Sequence, residues 1–168
     1  MPNVVCDICG SSSHDTKEHN RPTYASTEKF PRVGAATFVV KGTSILLGRS
    51  KKLNNQIIVP GGGIKPFEPV NEAARREIKE ETGVDVLMQD ILFVTEVVNP
   101  PHEHRIILFM LGQYVDGEPV AGDDLSEVFW ADTRELDKYQ DDMTDVTIDA
   151  ICKFAIAVRS RGMTSRAN

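Results

Sequence analysis

Glu77, Glu80 and Glu81 lie within the segment Pro69 to Thr82, which is rich in Ala, Glu, Arg and Lys and is followed by Gly83. A proline at its start and a glycine at its end predict a helix. Winding the segment at roughly 100° per residue puts Val70, Ala73, Ala74 and Ile78 on one side and Glu72, Arg75 and Lys79 on the other. Glu77 and Glu81 fall in the middle of the apolar side, with Glu80 at its edge. A run of charges on a helix ordinarily faces water. Carboxylates at i, i+3 and i+4 that turn toward a sheet repel one another, and each carries a desolvation cost of several kcal/mol unless a cation compensates. Arg76 can reach Glu80 at i+4, but one arginine cannot neutralise three acids. Hard divalent cations can, and magnesium characteristically joins a few carboxylates to the phosphates of a substrate.

The strand signal Ile57-Ile58-Val59, closed by Pro60, leads into Gly61-Gly62-Gly63 just ahead of this helix. A glycine triplet reads either as an ordinary strand-to-loop turn or as backbone that can approach the site closely, offering carbonyls to metal or N–H groups to anions. Taken together, Gly62, five residues, Glu68, seven residues and then Arg76-Glu77-Ile78-Lys79-Glu80-Glu81-Thr82-Gly83-Val84 resemble the Nudix box, G-x5-E-x7-R-E-U-x-E-E-x-G-U with U aliphatic. The likeness extends from about Pro31 to Val158. It implies an α/β fold, an α/β/α sandwich with a mixed sheet in which the box forms a loop–helix–loop, and hydrolysis of a nucleoside diphosphate linked to another moiety. By the same resemblance Glu77, Glu80 and Glu81 bind magnesium or manganese, Gly61 adds a backbone carbonyl, Arg76 orients the carboxylates, and Gly62 approaches the substrate. Glu68 supports the loop. The acid that takes the proton from water varies across the family, which leaves Glu80, Glu103, Asp123, Asp124 and Glu127 as candidates.

A second stretch narrows the branch. Gly117 to Glu127 resembles the G-x-P-x-A-G-D-D-x-x-E segment of ADP-ribose pyrophosphatase-like Nudix proteins, which implies an ADP-ribose-type or dinucleotide substrate. Where those proteins often carry an R-D-P-R-G-H-like stretch, this chain has Pro100-Pro101-His102-Glu103-His104-Arg105, so the exact substrate stays open. The alternatives are a nucleoside triphosphate pyrophosphohydrolase and a non-catalytic nucleotide-sensing module; the intact glutamates argue against the latter. His104 and Arg105 read as phosphate or ribose contacts or as plain loop residues. Arg32 and Arg49 are further candidates, since a guanidinium matches phosphate bidentately. Phe129 and Trp130 read as core.

The elements that must position these groups are legible in outline. Val33 to Val40, a turn at Lys41 to Ser44, and Ile45-Leu46-Leu47 predict a hairpin. Separate strands are expected at Val84 to Val86, Ile91 to Val98, Arg105 to Val115 and Val128 to Trp130. Thr133 is a cap candidate for a short helix, and Val146 to Val158 has helical spacing, with Cys152 in its apolar pattern. Residues 1–30 form a polar extension, 31–160 the Nudix-like domain and 161–168 a flexible tail. In the extension, Cys6, Cys9, His14 and His19 suit a tetrahedral structural zinc; the alternative is a floppy terminus with incidental cysteines and histidines.

A length of 168 residues fits one globular domain with a small appendage. The net charge of -6 has the wrong sign for nonspecific grip on a nucleic-acid backbone. No apolar run approaches the ~20 residues of a membrane span, and the polar start lacks the apolar stretch of a signal peptide, so a cytoplasmic location is expected. The partner implied is a small nucleotide, with a homodimer as a further expectation.

Overall fold

A computed structural model describes residues 31–99, 103–122 and 124–160. The unit from Arg32 onward holds the elements that position the site. Cys6, Cys9, His14, His19, Asp123 and the 161–168 tail lie outside the described residues.

The expected hairpin forms from β1 (Arg32–Lys41) and β2 (Ser44–Ser50). After β2 a short 3-10 turn, Lys51–Leu53, leads through Asn54 and Asn55, both left-handed at φ 52 and 60, into β3 (Ile57–Ile58). The glycine triplet is not a plain loop: it forms β4 (Gly61–Gly63), antiparallel to Gly34 to Ala36 of β1. Helix α1 spans Val70–Thr82 and ends at Gly83, whose left-handed backbone (φ 71) returns an N–H to the Lys79 carbonyl. The two strands expected at 84–98 are one, β5 (Asp85–Asn99), interrupted by register shifts around Met88 to Phe93 where Gln89 and Asp90 break the apolar pattern. β6 (Glu103–Asp116) and β7 (Leu125–Asp132) come next, then a 3-10 stretch at Leu136–Asp142 and helix α2 (Asp145–Ser160).

The sheet is mixed. Its order is β3-β2-β1-β6-β5, with β4 also on β1 and β7 on β2; β1 and β6 run parallel and the other named pairs antiparallel. Alternation along β1 sorts the two faces. Ala36 and Phe38 join Leu47, Phe109 and Phe154 on the α2 side, with the Phe38 and Phe154 rings stacked 4.3 Å apart. Ala35 and Val39 join Met110, Val84 and the α1 residues Ala74 and Ile78 on the other. This unit is therefore the α/β/α sandwich implied by the box. Phe129 and Trp130 are half-buried against the two cores, as expected.

Two local features differ from expectation. Thr133 caps no helix; its hydroxyl and N–H both donate to the Thr43 carbonyl, tying β7 to the first hairpin. The cap of α2 is Thr144, whose Oγ1 accepts the Thr147 N–H at 3.1 Å. Cys152 is exposed rather than core, because Ala150 and Phe154 carry the buried stripe and Cys152 sits on the far side of the turn.

Candidate active site

The helical wheel sets Glu77 and Glu81 among apolar neighbours, and the folded helix does so too. Glu81 is 8% exposed and the Glu77 side chain 15%, whereas Glu80 at the edge is 59% exposed. Glu81 accepts a hydrogen bond from the Gly61 N–H at 2.9 Å. Burial raises its pKa to about 7, against the stabilising Gly61 contact and the charge of Lys52 and reinforced by the charges of Glu77 and Asp124.

Arg76 is the hub of the hydrogen bonds between the loop and the helix. Its Nε and one terminal nitrogen clasp both oxygens of Glu68 at 2.8 and 2.9 Å, and the Gly63 carbonyl takes a further bond at 3.0 Å. The other terminal nitrogen donates to Glu77 at 2.6 Å and Glu80 at 3.1 Å. One rigid fork therefore locks the loop to the helix and fixes two of the three carboxylates. Glu68 also accepts the Lys65 N–H, and Arg76 pulls its pKa down to about 2. Gly62 has no room for a side chain: a Cβ there would overlap the Glu77 carboxylate.

The stretch Gly117 to Asp124 has a structural task. The Val120 N–H donates to the Thr82 carbonyl and the Gly122 N–H to that of Glu81, at 2.9 and 2.8 Å, so this loop is registered on the last turn of α1. Any side chain at Gly122 would strike the Glu80 carbonyl oxygen. The docking carries Asp124 to the site, where Lys52 meets its carboxylate at 2.5 Å. Asp124 raises the Lys52 pKa, with smaller contributions from Glu81 and Glu77.

Glu77, Glu81, Asp124 and Lys52 share a cleft of about 770 Å³. Glu77, Glu81 and β4 line one part of it with Asp124 and Lys52; Arg32, Glu103 and Arg105 line another. Gly34, Ile107 and Phe109 pave the sheet face, and Thr144 to Thr147 at the start of α2 form a further wall. Arg32 and Arg105 are cross-strand neighbours on β1 and β6, with Arg105 against the Glu103 carboxylate.

Other candidates are placed elsewhere. Arg49 is occupied by Glu127 at 3.1 Å, Asp142 at 2.7 Å and the Asn55 carbonyl at 3.1 Å, and neither Arg49 nor Glu127 lines the cleft. This arginine clamps the loop after β2 instead of facing the cleft. His104 pairs with Glu96 at 2.8 Å, on the opposite side of its strand from Arg105. Glu80 also lies off the cleft wall, turned to Arg76. Sequence reasoning misses Lys52, since a lysine beside Lys51 in a polar turn carries no periodicity or motif.

The donor set suits a hard divalent cation: a buried, undercompensated carboxylate, two more on the same helix and backbone oxygens of β4 alongside. The side chains are not gathered for one, because Arg76 holds Glu77 and Glu80; among the described residues no group of three or more Asp, Glu, His or Cys side chains converges.

This fold and this helix recur in known proteins. The NUDIX domain model matches residues 29–150, and the chain belongs to the Nudix family. It is similar to an ADP-ribose pyrophosphatase of Methanocaldococcus jannaschii, 34% identical over 113 residues covering 64% of this chain and 66% of that protein. It also resembles diphosphoinositol polyphosphate phosphohydrolase 2 of Rattus norvegicus, 39% identical over 67 residues, 40% of this chain and 36% of that one. The chain thus spans about two thirds or less of the length of these relatives. Among solved structures, a MutT NUDIX hydrolase from Burkholderia pseudomallei superimposes with a TM-score of 0.64 at 27% identity, covering 74% of this chain and 98% of that one. Among the described residues no helix is long and apolar enough to cross a membrane.

Proposed function

We propose that this protein is a metal-dependent pyrophosphohydrolase that splits the diphosphate of an ADP-ribose-like nucleotide. The observation that carries this reading is the cleft itself, which is lined by the buried carboxylates Glu77 and Glu81, by the cross-strand neighbours Arg32 and Arg105, and by sheet residues. Gly61 pairs with Ala36, and Arg32 stands four residues earlier on β1, roughly 13 Å away at the ordinary rise of a strand. That span suits a ligand whose diphosphate lies at the carboxylates while a sugar or base reaches the arginines. The apolar lining of Gly34, Ile107 and Phe109 suits a ring. The likeness to an ADP-ribose pyrophosphatase points the same way.

Glu77, Glu80, Glu81 and the Gly61 carbonyl would hold magnesium or manganese, which when bound neutralises diphosphate charge and acidifies the attacking water. The chain's own residues do the rest. Arg76 sets the carboxylates and keeps the Gly63 loop closed on the helix. Asp124, fixed in the cleft through the Gly122 contact to Glu81, accepts the water proton. The water oxygen bonds to phosphorus, and the bridging oxygen departs with the electron pair. Arg32 and Arg105 hold the far part of the substrate. Glu103 lies at that far end beside Arg105, whereas Asp124 lines the cleft with Glu77 and Glu81 and acts on the Glu81 charge, which favours Asp124 as the base.

A panel of ADP-ribose, dinucleotides and nucleoside triphosphates with magnesium, products identified by mass, tests the reading. Release of two monophosphates from ADP-ribose supports it; turnover confined to triphosphates replaces it.

A further inference from the structure

Among the described residues three basic side chains line the cleft, and two of them, Arg32 and Arg105, lie together at the end away from Glu77 and Glu81. The third, Lys52, is the cleft-lining cation whose field falls on Glu81, Glu77 and Asp124 together. Its ammonium donates to Asp124 in an exposed pair: the two side chains are 70% and 48% accessible. Pairs that exposed contribute little to stability and exchange readily. The platform beneath Lys52 is, by contrast, heavily fixed. The Lys51 N–H donates to the Asp124 carbonyl, the Ser126 hydroxyl to Asn55, and Arg49 fastens the same turn to Asp142 and Glu127. A long flexible stem with an exposed ammonium stands on a rigid base above a carboxylate site.

We propose that Lys52 is a diphosphate-binding residue, held on Asp124 in the free protein and transferred to a substrate phosphate on binding. This rests on the diphosphate-hydrolase reading above. A bound diphosphate carries two negative charges over four non-bridging oxygens, against one on the Asp124 carboxylate, and so offers the same stem more charge and more acceptors. The transfer has a second effect: it strips Asp124 of its counter-ion and leaves that carboxylate unengaged at the moment a proton must be accepted. Substrate arrival would thereby couple to readiness of the base, with Arg49 acting as a positioning residue for the turn rather than as a phosphate ligand.

The test is calorimetric binding of methylenediphosphonate, a diphosphate that cannot be hydrolysed, in the presence of magnesium. Lys52→Met should weaken binding roughly 10- to 100-fold, the range for one charge-assisted hydrogen bond, and Lys52→Arg should restore most of it. Asp124→Asn should tighten binding more in the wild-type background than in the Lys52→Met background, because only the former adds the release of Lys52 to the loss of a like charge. Circular dichroism of each variant confirms folding, which this exposed side chain should not disturb. Unchanged affinity in Lys52→Met, with the wild type binding the probe and cleaving nucleotides, overturns the Lys52 role and leaves the hydrolase reading standing. Lys52-dependent binding without cleavage of any nucleotide in the panel supports the role and removes the hydrolase reading. Failure of the wild type to bind the probe overturns the Lys52 role, and the hydrolase reading falls with it only if no nucleotide in the panel is cleaved.

Discussion

Replacing Glu81 by glutamine removes one charge from a buried site and nearly nothing else. The amide keeps an oxygen able to accept the Gly61 N–H, and the volume is unchanged. In the protein without metal, Glu81 has its pKa raised from 4.5 to about 7, chiefly by burial. An acid that binds its proton more tightly folded than unfolded favours folding while protonated, below about pH 4.5, and loses that contribution as pH rises through about 7. The difference amounts to about 3 kcal/mol once the group is fully ionised, or very roughly 10 °C in Tm for a domain of this size. Glu81→Gln should therefore match the wild type near pH 4.5 and exceed it by up to about that amount at pH 8, in EDTA. Urea or thermal unfolding across this range measures it. Magnesium should then stabilise the wild type and not the variant, and hydrolysis should be lost in the variant. A glutamine protein no more stable than the wild type at pH 8 would refute the claim that Glu81 is a buried, undercompensated carboxylate.

Other consequences are open to simple measurement. Glu68 has its pKa lowered to about 2 by Arg76, so its contribution is present above about pH 4.5 and fades as pH falls toward 2; Glu68→Gln should lessen the steepness of acid unfolding. Gly122→Ala cannot keep the loop in place, since the new methyl meets the Glu80 carbonyl, and steady-state assays should show kcat reduced at least tenfold in a folded protein. Asp124→Asn should lower kcat about 10²- to 10⁴-fold, most at neutral pH; a change confined to KM would move the base elsewhere. Phe67 is fully exposed at φ 65, a conformation that strains any bulky residue, and Phe67→Gly should raise stability by about 1 kcal/mol.

Much of this arrangement is legible in the sequence, and the limits have physical causes. Helix α1 can be read because Pro69, Gly83 and the wheel agree, and the anomaly of acids on the apolar side points at the site. The β4 pairing cannot, because a glycine triplet has no side-chain pattern and pairs with β1 through backbone alone. The single strand β5 reads as two because its register shifts where Gln89 and Asp90 interrupt the alternation. Arg49 is a reasonable phosphate candidate on guanidinium chemistry, yet Asp142, more than ninety residues away, takes that guanidinium into a loop clamp. Lys52 gains its meaning only from the loop that carries Asp124, which is brought to it by contacts with the backbone of Glu81. Long-range pairings of this kind leave no local trace in composition or period.

The measurement closest to the central claim is the mass of the products released from ADP-ribose in magnesium, run beside Glu81→Gln. Cleavage within the diphosphate should give AMP and ribose 5-phosphate from the wild type and neither from the variant. The same products from Glu81→Gln at a comparable rate, or no cleavage of the diphosphate by the wild type, would contradict it.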